Sequence, residues 1–148
     1  MEASIDIYNF ITDGLVGAGL SLEKQDICSF SPLTLAYIGD GIYELIILSM
    51  IVSEGNAPVN KMHRRSSSLV KAETQADYVK YMLDNNLLNE EEQRIYKRGR
   101  NAQSYTKAKN ASVTDYRMAT GFEALIGYLY LTGQSKRIMD LVGKCLTK

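Results

Sequence analysis

Apolar residues recur along this chain at helical spacing, and strand-like alternation rich in Val, Ile and Thr is hard to find in it. The pattern predicts an all-α fold. Residues 1–30 are weakly patterned, with a helix expected over residues 5–16, then a glycine-containing turn and an acidic linker. Ser31 and Pro32 make a good helix start, Ser as N-cap and Pro at the first helical position, where its missing N–H costs nothing. A long helix follows to about Ser53. Its apolar positions, among them Leu35, Ile38, Ile42, Leu45 and Ile46, cover more than one face, so it is expected to sit centrally. Gly55, Asn56, Ala57 and Pro58 end it.

Further helices are expected over residues 59–69, 71–85 and 89–98. The last opens on Asn89 as cap with Glu90, Glu91 and Glu92 in its first turn, where acids suit the helix dipole and are read as capping and solvation. Residues 99–112 carry small and polar residues with interspersed Lys and no apolar period. They predict a loop, long enough to suspect function. Thr114 or Asp115 caps another helix through Leu131, Gly133 stops it, and residues 135–146 form a short amphipathic last helix.

The length of 148 residues suits one compact domain with one core. Apolar residues at 45% and charged ones at 23% exclude a disordered or fibrous chain. Cys28 and Cys145 lack metal-ligand spacing and are too few for a disulfide framework, which points to a reducing compartment. The first twenty residues carry Glu2, Asp6 and Asp13 but no Lys or Arg, so the basic start of a secretory signal is absent and a cytoplasmic address is expected. The longest apolar stretch, residues 41–52, is interrupted by Glu44 and falls short of the roughly 20 residues that cross a bilayer. No membrane is expected as a partner.

Two acids stand out. Asp40 lies within Leu35, Ala36, Tyr37, Ile38, Gly39, Asp40, Gly41, Ile42, in the middle of an apolar helix, where a lone carboxylate costs several kcal/mol unless paired, protonated or bound to metal. Gly39 and Gly41 each cost about 1 kcal/mol in a helix interior, a loss that close approach of another backbone or a ligand would offset. Glu123 repeats the arrangement between Gly121 and Gly127. Taken singly, either acid is explained as well by a buried Arg or backbone N–H partner. The repeated setting favours one shared site, with the two helices crossing at their glycines and both carboxylates converging on a hard cation such as Mg²⁺ or Mn²⁺. Glu44, one turn after Asp40, is read as a solvated helix residue rather than a supporting group.

The net charge is zero, yet residues 93–114 contain no Asp or Glu and carry six basic residues, Arg94, Lys97, Arg98, Arg100, Lys107 and Lys109. Asn101 and nearby Ser, Thr and Gln can hydrogen-bond phosphate and ribose without reading bases. His63, Arg64, Arg65 and Lys71 form a second basic cluster. Little aromatic interleaving favours duplex over single-stranded RNA as the polyanion bound. A solvated charged face is the bland reading of such runs.

These segments carry a resemblance. Residues 35–40, residues 63–75, the run Lys97, Arg98, Gly99, Arg100, Asn101, Ala102, and Tyr116 and Arg117 through residues 122–129 occur in the order found in Mini-ribonuclease III, the small branch of the ribonuclease III family that lacks a double-stranded-RNA-binding domain. The resemblance implies a ribonuclease III-like catalytic domain over residues 31–148, after an N-terminal segment of uncertain structure over 1–30. It further implies a homodimer that uses Mg²⁺, or Mn²⁺, to cut both strands of an RNA duplex. Maturation of large-subunit (23S) ribosomal RNA, with a large-subunit ribosomal protein as a further partner, is implied as well. Asp40 and Glu123 become the catalytic, metal-holding carboxylates, and the basic segments the RNA grip. Full-length ribonuclease III has further acids where this chain has Leu33, Ala36 and Thr120, so a sparser metal site is expected. Gly41 stands where Ala is expected. The dimer surface is expected on the apolar, glycine-containing face near Asp40. Rival readings are a non-catalytic RNA-binding or ribosome-associated protein of the same fold, and a helical protein-interaction module.

Overall fold

A computed structural model describes residues 6–102 and 112–148. The elements are α1 (Ile7–Gly17), a single 3-10 turn (Ile27–Ser29), α2 (Pro32–Ser53), α3 (Val59–Val70), α4 (Ala72–Asp84), α5 (Glu90–Asn101), α6 (Val113–Leu131) and α7 (Ser135–Leu146). No strand occurs among the described residues, and the fold is all-α as the apolar spacing predicts. The starts obey local chemistry. The Ser31 hydroxyl accepts from the Thr34 N–H with Pro32 behind it, and Ser112 caps α6 through the Asp115 N–H. Asn89 and Glu92 form a reciprocal capping box at α5.

The centre of the molecule is α6, against which α2, α4, α5 and α7 all pack. It buries Phe122, Ala124, Leu125, Ile126 and Leu129 on every side. Helix α2 was expected in that position and does not take it. It buries one stripe, Leu35, Gly39, Tyr43, Ile47 and Ile51 at four-residue spacing. Tyr43 meets Phe122 edge-on at 5.1 Å and donates its hydroxyl to the Leu69 carbonyl at 2.6 Å, which ties α3 to the core. On the other side of α2, Tyr37 is 83% exposed, Val52 65% and Leu45 60%. Among the described residues no element covers Tyr37, Leu45 or Val52. By length and composition α2 could cross a membrane; its packed stripe instead makes it one wall of the core.

Glycines decide how the helices cross. A Cβ on Gly39 would fall onto the backbone carbonyl of Glu123, and one on Gly127 onto that of Leu35, so α2 and α6 run antiparallel with their backbones in contact. Gly41 faces open space and takes no part. A second close crossing sets Gly99 of α5 against Gly121 and Ala124 of α6. It moves the start of the expected loop, because residues 99–101 continue α5; residues 103–111 of that loop lie outside the described residues. The missing apolar period there reflects a helix that touches its neighbour through glycine rather than through large side chains.

The acidic start of α5 also does more than cap. Glu92, 2% exposed, takes two hydrogen bonds from the Arg137 guanidinium at 2.8 Å, and Arg137 also donates to the Leu87 carbonyl at 2.7 Å. This pair locks α7 to the start of α5. Helix α1 rests on the end of α6 through Tyr8, whose ring meets Tyr130 at 5.5 Å.

Candidate active site

The contact of α2 with α6 at Gly39 places the next residue, Asp40, beside Glu123, and the two carboxyl groups lie within hydrogen-bonding reach. They share a cavity of about 660 Å³ with Thr120 and Tyr116 of α6 and with Leu33, Ala36 and Tyr37 of α2. The shared site expected of two isolated acids is therefore present as geometry. Their environments differ from expectation in one respect: Asp40 is exposed at the rim, and Glu123 is the sheltered member.

Burial pushes the Glu123 carboxyl up to about 9, helped by the hydrogen bond and the charge of Asp40. At neutral pH without a cation, Glu123 keeps its proton. A hard divalent ion meets what this pair lacks, since it supplies the charge that lets both carboxylates ionise side by side. The donor set fits such an ion: two carboxylates that open onto a cavity roomy enough for water and a phosphate. No group of three or more His, Cys, Asp or Glu side chains that could hold a metal ion occurs among the described residues, so the described protein ligands of an ion held here would be these two carboxylates. Leu33, Ala36 and Thr120, where longer relatives are expected to carry further acids, all line this same cavity. The Thr120 hydroxyl is engaged locally, donating to the Tyr116 carbonyl at 3.0 Å.

Most of the basic residues lie on two helices that both pack on α2. His63, Arg64 and Arg65 are exposed on α3, and Lys71 lies just beyond its end. Lys97 is exposed on α5, with Arg98, Arg100 and Asn101 following it on the last turn. Several are engaged within the chain: Arg65 pairs with Glu54, Lys71 with Glu73 at 3.6 Å, and Arg94 with Glu91. Arg100 lies over the Tyr96 ring at 5.7 Å and donates to the Asn101 side chain. The ion pairs are solvent-exposed and weak, so a phosphate can displace them. Lys107 and Lys109 lie outside the described residues. Glu44 is exposed, as expected of a solvated helix residue.

Tyr116, which the sequence marks only as part of a motif, also lines this cavity. Its signal was present: Tyr116, Thr120 and Glu123 share one stripe of α6 at spacings of four and three.

The model of the ribonuclease III domain family matches residues 33–134. Among curated relatives, the Mini-ribonuclease 3 of Enterococcus faecalis is 48% identical over 124 residues, 84% of this chain and 94% of that protein. The Mini-ribonuclease 3 of Streptococcus pneumoniae is 42% identical over 83% of this chain and 96% of its own length. A crystal structure of a Fusobacterium nucleatum protein superposes with a TM-score of 0.74 at 29% identity, covering 84% of this chain and 98% of the other.

Proposed function

The chain belongs to the Mini-ribonuclease 3 branch of the ribonuclease III family, and from that premise we propose that it hydrolyses both strands of double-stranded RNA at the Asp40 and Glu123 site, with Mg²⁺ or Mn²⁺ as cofactor. The observation that carries this reading is the convergence of the two carboxylates in one cavity, with the buried one held up to about 9. Such a pair is poised to exchange a proton for a cation.

A divalent cation bound there supplies positive charge to the phosphate and lowers the pKa of water. The chain's own residues do the rest. Glu123 gives up its proton and, with Asp40, offers oxygen ligands from two different helices, so the site exists only when α2 and α6 are crossed as described. In the hydrolysis, a water oxygen bonds to phosphorus and the bond to O3′ breaks, leaving a 5′-phosphate and a 3′-hydroxyl. The basic residues of α3 and α5, with Lys107 and Lys109, hold the two phosphate backbones without reading sequence.

One site cuts one strand, so cleavage of both calls for two sites related by a two-fold axis, which a homodimer supplies. The exposed apolar face of α2 is the surface assigned to that contact. The substrate assigned is the precursor of large-subunit ribosomal RNA, with a large-subunit ribosomal protein as accessory partner, in the cytoplasm.

Incubation with a perfect RNA duplex and Mn²⁺ is expected to give cleavage that a chelator abolishes. Asp40→Asn should lower the rate by more than about 100-fold, since even residues that only support metal ligands cost 10 to 100-fold. Cleavage that persists in this variant would remove Asp40 from the chemistry.

A further inference from the structure

We propose that Arg94 and Arg98 of α5 and Tyr128 of α6 form a subsite for one phosphate of the RNA backbone, and that the Glu91 carboxylate occupies it until RNA displaces it; the assignment rests on the duplex-cutting reading above. The surroundings of Glu91 carry it. The Arg94 guanidinium grips the carboxylate as a fork, Nε donating to Oε2 at 3.0 Å and Nη2 to Oε1 at 2.5 Å. The Tyr128 hydroxyl donates to Oε1 at 3.4 Å, and the charge of Arg98 acts on the same carboxyl. Two N–H donors in one plane match a phosphate as well as a carboxylate. A carboxylate held in this way stands in for two nonbridging phosphate oxygens. These groups hold Glu91 below the usual carboxylate range, the Arg94 hydrogen bonds contributing most and burial opposing them.

An ordinary helical ion pair accounts for Glu91 and Arg94 at a spacing of three. It does not call for a second guanidinium or for a hydroxyl from another helix. Arg94, Lys97, Arg98 and Asn101 share one stripe of α5, and the chain carries no acid from residue 93 to 114. With Glu91 swung into solvent, that stripe presents three cations to a polyanion. The exchange is open to water, because the side chains of Arg94 and Glu91 are 54% and 48% exposed. The stripe also leads to the candidate active site. Helices α5 and α6 run antiparallel, with Glu91 beside Tyr128 and Gly99 against Gly121 and the Thr120 carbonyl. Thr120 in turn lines the cavity of Asp40 and Glu123. A carboxylate that must be displaced here lowers RNA affinity away from the cut, which favours release of cleaved ends.

The test measures binding of the full chain to a short RNA duplex in EDTA, over a range of salt concentrations. Glu91→Gln keeps the size of the side chain and empties the subsite. It is expected to bind the duplex about 2 to 5-fold more tightly, the weight of one exposed ion pair that no longer has to be broken. The slope of log affinity against log salt should steepen by about one, because one more phosphate is neutralised without setting a carboxylate free. Losing a negative charge tightens binding to any polyanion, so the gain must also depend on the subsite. It is expected to shrink when Arg94→Ala or Tyr128→Phe is added, which a double-mutant cycle reads directly. An unchanged affinity of Glu91→Gln, or a gain equally large without Arg94 or without the Tyr128 hydroxyl, overturns the proposal. If Glu91→Gln lowers the melting temperature, Glu91→Asp decides: it keeps the net charge and shortens the reach to Arg94, and the proposal falls if its duplex affinity equals that of the wild type. A wild type that does not bind duplex RNA rejects the RNA reading itself, an outcome distinct from any result on Glu91.

Discussion

Glu123 shows how one buried carboxyl can link protonation, metal and stability. Its pKa rises from an ordinary value of 4.5 to about 9, first through burial and then through the hydrogen bond and charge of Asp40. In the metal-free protein, the unfolded chain loses this proton near 4.5 and the folded one near 9. Between those values the folded state binds more protons, so Glu123 favours folding fully at low pH and progressively less as pH rises towards 9. Glu123→Gln removes the dependence. In EDTA, the melting temperature of this variant should match the wild type near pH 4.5 and exceed it increasingly up to pH 9. A divalent ion at the proposed site would reverse the order, because it would be held by the ionised pair and displace the proton. Mn²⁺ affinity of the wild type should then climb by about tenfold per pH unit below 9 if one proton is released. A melting difference that does not vary with pH would show that Glu123 is not protonated in the fold.

At the scale of elements, α5 joins two tasks. Its start is anchored by Glu92, where burial pushes the carboxyl up but the hydrogen bonds from Arg137 and Asn89 and the Arg137 charge outweigh it and hold it below the usual range. Its end carries Arg98, Arg100 and Asn101 next to the contact of Gly99 with α6. A rigid helix therefore presents the two guanidinium groups from a turn that packs on α6, the helix that carries Glu123. Replacing Arg98 and Arg100 by Ala should weaken binding to any RNA duplex alike and reduce the slope of log affinity against log salt by about two. An unchanged slope would move the RNA surface elsewhere. This helical end was misjudged as loop, since glycine contact leaves no apolar period to read. The site was more legible, because a costly acid and a costly glycine side by side in an apolar helix can be noticed without coordinates. The lack of a role for Gly41 was not legible, because a glycine facing space and a glycine facing a backbone look alike in a sequence.

For the whole molecule, the outer face of α2 matters most. Leu45, Leu48 and Val52 are exposed there, beside Tyr37 at the cavity rim. Such a face in water costs about 25 cal/mol per Å² left uncovered, and in the dimer proposed above a second copy of the same face would cover it with two-fold symmetry. Sedimentation is expected to give twice the 16.6 kDa chain mass. Leu45→Lys with Val52→Lys should give a monomer of unchanged helix content that nicks duplexes poorly, while a dimer that survives both changes would place the interface on another surface.

By itself the sequence determined the helical architecture, most helix limits and the two acids, because caps, apolar spacing and the cost of isolated charge are local properties that a chain carries into any environment. Its order of motifs also determined the family. The tertiary structure alone decided that α6 rather than α2 is central, that Glu123 rather than Asp40 is the sheltered carboxyl, and that Glu92 is an anchor. Each of these depends on what lies across a helix crossing, and a pattern along one helix records that a face is apolar without recording which neighbour, or which copy, covers it.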